Sequence, residues 1–205
     1  DFEPNGDIKD HPASDSGRFL EIGNNVFMSH QKVRADSFLP LEKPNIDYGG
    51  GLERICAAVN TDRDVYNTPF FKTPKLVLTD LSGKLYHENL KLFRIILDHC
   101  RAATFLVGDG VHPGNQDAEY ITRRLIRRAM RAAMSLGIKD SFMGKLITAF
   151  LDDAKSYSQL QSQREIILNS ILAEEKKFQK LVISGEREIL KHVVRKGEVT
   201  GFDAF

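Results

Sequence analysis

Three consecutive glycines at positions 49–51 constrain this chain more than any other feature. Lacking Cβ atoms, they let the backbone approach a neighbour closely. Residues 52–59, Leu-Glu-Arg-Ile-Cys-Ala-Ala-Val, have the composition of a helix that opens immediately afterwards. Ile46 is expected on a short strand running into the glycines, with Pro40 and Pro44 breaking the approach to it. A helix start offers unpaired N–H groups and a positive dipole end, and Arg54 adds a guanidinium, so a phosphate suits this place. On the glycines alone, a plain structural turn between strand and helix is an equal alternative.

The chain changes character along its length. Residues 1–17 are rich in Asp, Pro, Gly and Ser and read as loop. Residues 19–28 read as a strand interrupted at Gly23, Asn24 and Asn25. Thr68-Pro69 and Thr73-Pro74 punctuate the chain and mark a domain boundary near residue 66, dividing it into 1–66 and 67–205. After residue 88 the sequence is helical almost throughout. Phe93, Ile96, Leu97 and Cys100 recur at three- and four-residue spacing within 89–106. Residues 108–115 form a loop, and a helix over 118–136 stops at Gly137. Another helix covers 142–154. Residues 165–194 form a long one with an apolar seam at Ile167, Ile171, Phe178 and Val182 and a possible break at Gly185.

A chain of 205 residues with 41% hydrophobic content buries one core or two small ones. Its formal net charge of +1 excludes a uniformly basic nucleic-acid binder and shifts attention to where the charge lies. Cys56 and Cys100 belong to no Cys-x-x-Cys pair, and the six histidines lack metal-ligand spacing. Buried thiols and no zinc are expected. No apolar run is long enough to cross a membrane and no signal peptide is visible, so the expected location is cytoplasmic. The chain starts at Asp1 without methionine, and its opening residues read as the interior of something longer.

The second informative pattern lies in residues 120–134. At about 100° per residue, Arg123, Arg124, Arg127, Arg128 and Arg131 fall within about 140° of arc. Ile121, Leu125, Ile126, Ala129, Met130, Ala132 and Ala133 are expected opposite, packing on the domain. The competing reading is a solvated face paired with acidic residues such as Glu174 and Glu175. Arginine used in place of lysine favours bidentate contacts to phosphate or carboxylate, and Tyr120 adds an aromatic surface. Asn115, in the loop just before, carries a carboxamide that can read a base edge in the shallow minor groove of double-stranded RNA; as a turn residue it needs no ligand.

Residues 17–28 (Gly-Arg-Phe-Leu-Glu-Ile-Gly-Asn-Asn-Val-Phe-Met), 39–44 (Leu-Pro-Leu-Glu-Lys-Pro) and the glycine segment 45–54 resemble the end of the catalytic domain of the alanyl-tRNA synthetase family. The glycine segment resembles motif 3 of class II aminoacyl-tRNA synthetases. Residues 91–136 are similar to the helical tRNA-recognition domain that follows. The resemblance implies an α+β fold: the last strands of a class II antiparallel sheet, then a predominantly α-helical domain. Residues 201–205 resemble the family sequence just before its Leu-Tyr-Asp signature.

The resemblance also implies roles. Arg54 would meet the ATP γ-phosphate, Asp47 the alanine ammonium, and Gly49 would keep the amino-acid pocket small, with Gly51 beside it. Asn24 would bind the alanine carboxylate or the adenylate, and Glu21 would shape that wall. ATP, Mg²⁺ and alanine are the implied cofactors and substrates, and the tRNA acceptor stem the implied partner. Asn115 matches the residue that reads the minor-groove side of a G·U pair, with Arg123, Arg124, Arg127, Arg128 and Arg131 holding nearby phosphates. Gly23, Tyr48 and Gly50 depart from the usual tryptophan, threonine and methionine and bear on the alanine pocket. Ala118 and Glu119 replace a usual Arg-Gly beside the Asn115 loop. Motifs 1 and 2 are absent, so the chain alone is expected to be inactive. The rival readings are a tRNA-binding module that lost catalysis and a helical interaction protein using the 167–182 seam.

Overall fold

The computed structural model describes residues 3, 6–14 and 16–196. The residues 201–205 that carry part of the resemblance lie outside this set. The fold is α+β, with a two-stranded antiparallel sheet and seven α-helices among the described residues. The chain divides into two compact units, Asp1–Pro69 and Phe70–Phe205.

The first unit is built on a ribbon of β1 (Gly23–Arg34) and β2 (Ser37–Gly50). Two expectations are corrected here. The strand does not begin at residue 19 with a break at 23–25: Gly23, Asn24 and Asn25 open it and pair regularly with Gly50, Gly49 and Tyr48. The irregularities fall instead between Met28 and His30 and between Lys32 and Arg34. Nor do Pro40 and Pro44 break β2, which runs through both for 14 residues. In a two-stranded ribbon each strand keeps one open edge, where a missing N–H removes no ladder bond.

Helix α1 (Leu52–Val59) follows the glycines directly, as their composition predicts. The Gly51 carbonyl accepts the first helical bond, from the Ile55 N–H at 2.8 Å. The Gly51 N–H donates to the Ile22 carbonyl at 2.9 Å, which ties the turn to the chain entering β1.

In the second unit, α2 (Pro69–Ser82) is a helix where the sequence reading placed only punctuation. Pro69 occupies its first position, where a missing N–H is harmless. Pro74, one turn further in, is buried and removes one helical bond; packing outweighs that loss. Phe71 meets Phe150 edge-on at 6.3 Å between ring centres, and the Thr73 hydroxyl donates to Asp153 at 2.8 Å.

Helices α3 (Leu90–Gly108), α4 (Asp117–Leu136), α5 (Met143–Asp153), the short α6 (Ser158–Ser162) and α7 (Arg164–Lys196) complete the unit. The apolar spacing of α3 buries Phe93, Ile96, Leu97, Cys100 and Val107. Against these lie Ile126, Ala129 and Ala133 of α4, Leu146, Ile147 and Phe150 of α5, and Ile167 and Ile171 of α7. Gly137 ends α4 in the left-handed region (φ 98°), which glycine adopts without a Cβ penalty. Helix α7 is continuous through Gly185, which settles the choice between one long helix and a broken one. Its seam is buried at Ile167, Ile171 and Phe178 but only half-buried at Val182.

Glu175 of α7 is 2% exposed and caps α5. Its carboxylate accepts the Phe142 and Met143 N–H groups at 2.9 and 3.1 Å and the Ser141 hydroxyl at 2.6 Å. The α5 start thus gains the anionic partner that a helix N-terminus favours.

Candidate functional site

Residues directly opposite in an antiparallel pair share a face. The register pairs Asn24 with Gly49 and Val26 with Asp47, so these four lie on one face of the ribbon. Asn24, Asp47 and Gly49 are therefore brought together. Asp47 is exposed and has no hydrogen bond or ion pair among the described residues, leaving an anionic oxygen pair for a cationic ligand. A Cβ built on Gly49 would meet no protein atom within 4 Å. Protein packing does not require glycine there. Val26 was missed by sequence reasoning, although counting in twos from Asn24 reaches it.

Arg54 projects from the first turn of α1. Its guanidinium donates to the Glu21 carbonyl at 3.0 Å and lies 3.8 Å from the Glu21 carboxylate. The two side chains are 50% and 66% exposed, so the pair contributes little, and an incoming anion exchanges for it cheaply. Gly51 accommodates the stem of Arg54, whose Cδ would stand 3.1 Å from a Cβ at 51.

Gly23, Tyr48 and Gly50 occupy the opposite face of the ribbon. There the Tyr48 ring covers Gly23: a Cβ at 23 would lie 2.6 Å from the Tyr48 hydroxyl oxygen. Gly23, Tyr48 and Gly50 form one packing unit, with an aromatic ring on β2 seated over a bare strand position on β1. Their side chains are not part of the wall that Asn24, Val26 and Asp47 make.

On α4 the five arginines do gather on one side, lining a groove of about 630 Å³ with Tyr120, Leu92, Ile95 and Phe178. They are not equivalent. Arg127 donates to Glu174 at 2.6 Å and stacks over Phe178 at 5.4 Å, and Glu174 is 4% exposed, so this arginine is held by protein. The expected acidic pairing therefore applies to Arg127 and Glu174, while Glu175 caps α5 instead. Arg123 donates to the Asn115 side-chain oxygen and lies 5.5 Å from the Tyr120 ring centre. Arg124, Arg128 and Arg131 are exposed and without ion pairs among the described residues. On the packing side Ile126, Ala129, Met130, Ala132 and Ala133 are buried as expected, but Ile121 is 48% exposed. It lies one turn before the half-buried Leu125, at the edge of the packed face, while its neighbour Thr122 is fully buried.

The loop before α4 is pinned at both ends. The Gly114 N–H donates to the Glu119 carbonyl at 3.0 Å, and the Tyr120 N–H to the Gln116 carbonyl at 3.0 Å. The Glu119 side chain packs directly on Gly114, so this departure from the family shapes the loop that presents Asn115. Among the described residues no group of three His, Cys, Asp or Glu could hold a metal ion, and no helix is long and apolar enough to cross a membrane.

Residues 3–205 match the tRNA synthetases class II (A), and the chain belongs to that family. Among curated proteins it is similar to the alanine–tRNA ligases of Thermotoga maritima (34% identical over 198 residues, 95% of this chain and 23% of the relative) and Desulfosudis oleivorans (38% over 195 residues, 91% and 22%). That of Desulfitobacterium hafniense is 36% identical over 200 residues, 93% of this chain and 23% of the relative. The chain spans less than a quarter of the length of these relatives.

Proposed function

We propose that this chain supplies the motif 3 wall and the acceptor-stem-binding helices of an alanine–tRNA ligase. The observation that carries the reading is the register that sets Asn24, Asp47 and Gly49 on one ribbon face, with Arg54 at the helix start beyond. Asp47 holds the ammonium of alanine, Asn24 its carboxylate or the adenylate, and Gly49 leaves room for a methyl side chain and nothing larger. Arg54 leaves its exposed contact with Glu21 to meet the γ-phosphate of ATP, beside Gly51. Positioning and fixed charge are then the chain's contribution to adenylate formation. The implied Mg²⁺ has no cluster of three ligands among the described residues, and no step is assigned through it.

On the second unit, Arg124, Arg128 and Arg131 bind acceptor-stem phosphates while Asn115 reads the G·U pair. Phosphate neutralisation of this kind makes binding salt-dependent. A non-catalytic tRNA-binding module is the second reading, favoured by the self-contained core of Phe70–Phe205.

The test replaces the matching segment of the Thermotoga maritima ligase with this chain and measures alanine-dependent ATP–pyrophosphate exchange. Exchange is expected in the chimaera and not in the isolated chain. Gly49→Ala lowers kcat/KM for alanine on the order of 10- to 200-fold, the effect of one methyl group in a fitted pocket. Exchange that is indifferent to Gly49→Ala and Asp47→Ala overturns the alanine-site reading; an inactive chimaera that binds acceptor stems favours the second.

A further inference from the structure

We propose that Arg123 is a positioning residue that fixes the Asn115 carboxamide by its oxygen, so that the NH₂ group is what the amide turns toward RNA. The inference rests on the acceptor-stem reading above and names which atoms of the base pair Asn115 contacts.

An arginine has five N–H donors and no acceptor, and an asparagine amide has one oxygen and one NH₂ group. Arg123 can therefore hold Asn115 only by its oxygen, and it does. Turning the amide over would set two donor groups against each other beside a full positive charge. The arginine is itself steadied by the Tyr120 ring, 5.5 Å from its Cζ. The loop on the other side is pinned by the Gly114 and Tyr120 backbone bonds. Both partners thus come from restrained backbone, and the amide orientation follows from charge.

Two consequences follow. The Asn115 NH₂ group is exposed and has no partner among the described residues, so it is what the loop presents. In the minor groove, pyrimidine O2 and purine N3 accept hydrogen bonds while the guanine 2-amino group donates. Asn115 therefore contacts an acceptor atom, and the guanine amino group is not its partner. In addition, Arg123 keeps its charge but turns its fork toward Asn115 and away from the backbone phosphates. The phosphate-contacting set is reduced to Arg124, Arg128 and Arg131, since Arg127 is held by Glu174.

The experiment measures binding of the full chain to acceptor-stem duplexes carrying G·U, inosine·U or G·C, across a salt series. Inosine lacks the 2-amino group. Wild type is compared with Asn115→Ala, Arg123→Met, Arg123→Lys, Arg128→Ala and the Asn115→Ala/Arg123→Met double variant, each checked for helical content. Asn115→Ala should weaken binding to G·U and inosine·U by the same factor. Arg123→Met should reproduce that loss, add nothing in the double variant and keep the wild-type salt slope, whereas Arg123→Lys, which keeps a donor, restores selectivity. Arg128→Ala should lower the slope by about 1. An Asn115 effect that vanishes on inosine·U overturns the proposal, as does an Arg123→Met variant that loses about 1 from the slope with selectivity intact. Both leave the acceptor-stem reading standing. A wild-type chain that binds no duplex at any salt overturns the reading and the proposal together.

Discussion

In the helical unit Phe93, Ile96, Leu97 and Leu146 are completely buried, whereas in the ribbon unit Phe27, Ile46 and Tyr48 stand 74%, 66% and 61% exposed. Among the described residues up to Pro69, Ala57 is the one hydrophobic side chain in the core class. The two units therefore hold their functional residues by different means. Arginines on α4 sit on a scaffold with its own core. Asn24, Asp47 and Gly49 sit on two strands whose apolar side chains face outward on both sides, and a lone two-stranded ribbon is marginal in water. Large exposed apolar faces mark interaction surfaces. The α4 arginines are supported from within their unit, while Asn24, Asp47 and Gly49 depend on whatever covers the ribbon.

The contrast is broken most directly by truncating one large apolar side chain in each unit. Phe93→Ala should cost about 3–5 kcal/mol in chemical denaturation, and Phe27→Ala should stay within about 0.5 kcal/mol. Equal losses would mean that the ribbon is stabilised as strongly as the helices.

A smaller effect sharpens the comparison within the arginine helix. Arg127→Ala strands the buried Glu174 carboxylate and should destabilise the chain by about 2–3 kcal/mol, less than a fully enclosed pair because Arg127 is 31% exposed. Arg128→Ala should leave stability within about 0.5 kcal/mol. Thermal unfolding of the two variants reads the difference directly.

Cys100 tests the core through pH. Burial, then the Glu175 and Asp98 carboxylates, push its thiol far above the ordinary range. Above pH 9 the unfolded chain releases a proton that the folded chain keeps, so stability falls as pH rises. The slope is about 1.4 kcal/mol per pH unit once the unfolded thiol is ionised. Below pH 9 the contribution is fully present. Cys100→Ala should remove that slope; an unchanged slope would show that the thiol is not what titrates.

The smallest effect has the opposite sign. Gly49→Ala meets no protein atom, so by restricting the unfolded chain it should raise stability by about 0.4–1 kcal/mol while impairing use of alanine. A loss of stability would show that the ribbon itself needs this glycine.

Where structure was legible in the sequence, the signal was local. The three- and four-residue spacing of Phe93, Ile96, Leu97 and Cys100 gave α3 within two residues of its ends, and Gly137 marked the end of α4. The step from glycines to α1 was legible for the same reason. Proline misled twice. Pro40 and Pro44 sit in a ribbon with open edges and Pro69 opens α2, so these three escape the penalty of a central strand or a helix middle, while Pro74 inside α2 gives up one helical bond that packing outweighs.

That five arginines share one face of a helix, and that a glycine turn runs into another helix, is legible in the residues alone, because both depend only on backbone periodicity and the absence of a Cβ. Which arginines lack an ion pair among the described residues depends instead on long-range packing. Glu174 is brought to Arg127 from α7, and Asn115 is turned toward Arg123 by the loop that Glu119 holds. Strand register likewise brought Asp47 opposite Val26 and set Tyr48 over Gly23. The Arg127–Glu174 and cross-strand pairings depend on contacts between residues distant in the chain, and no local spacing encodes them.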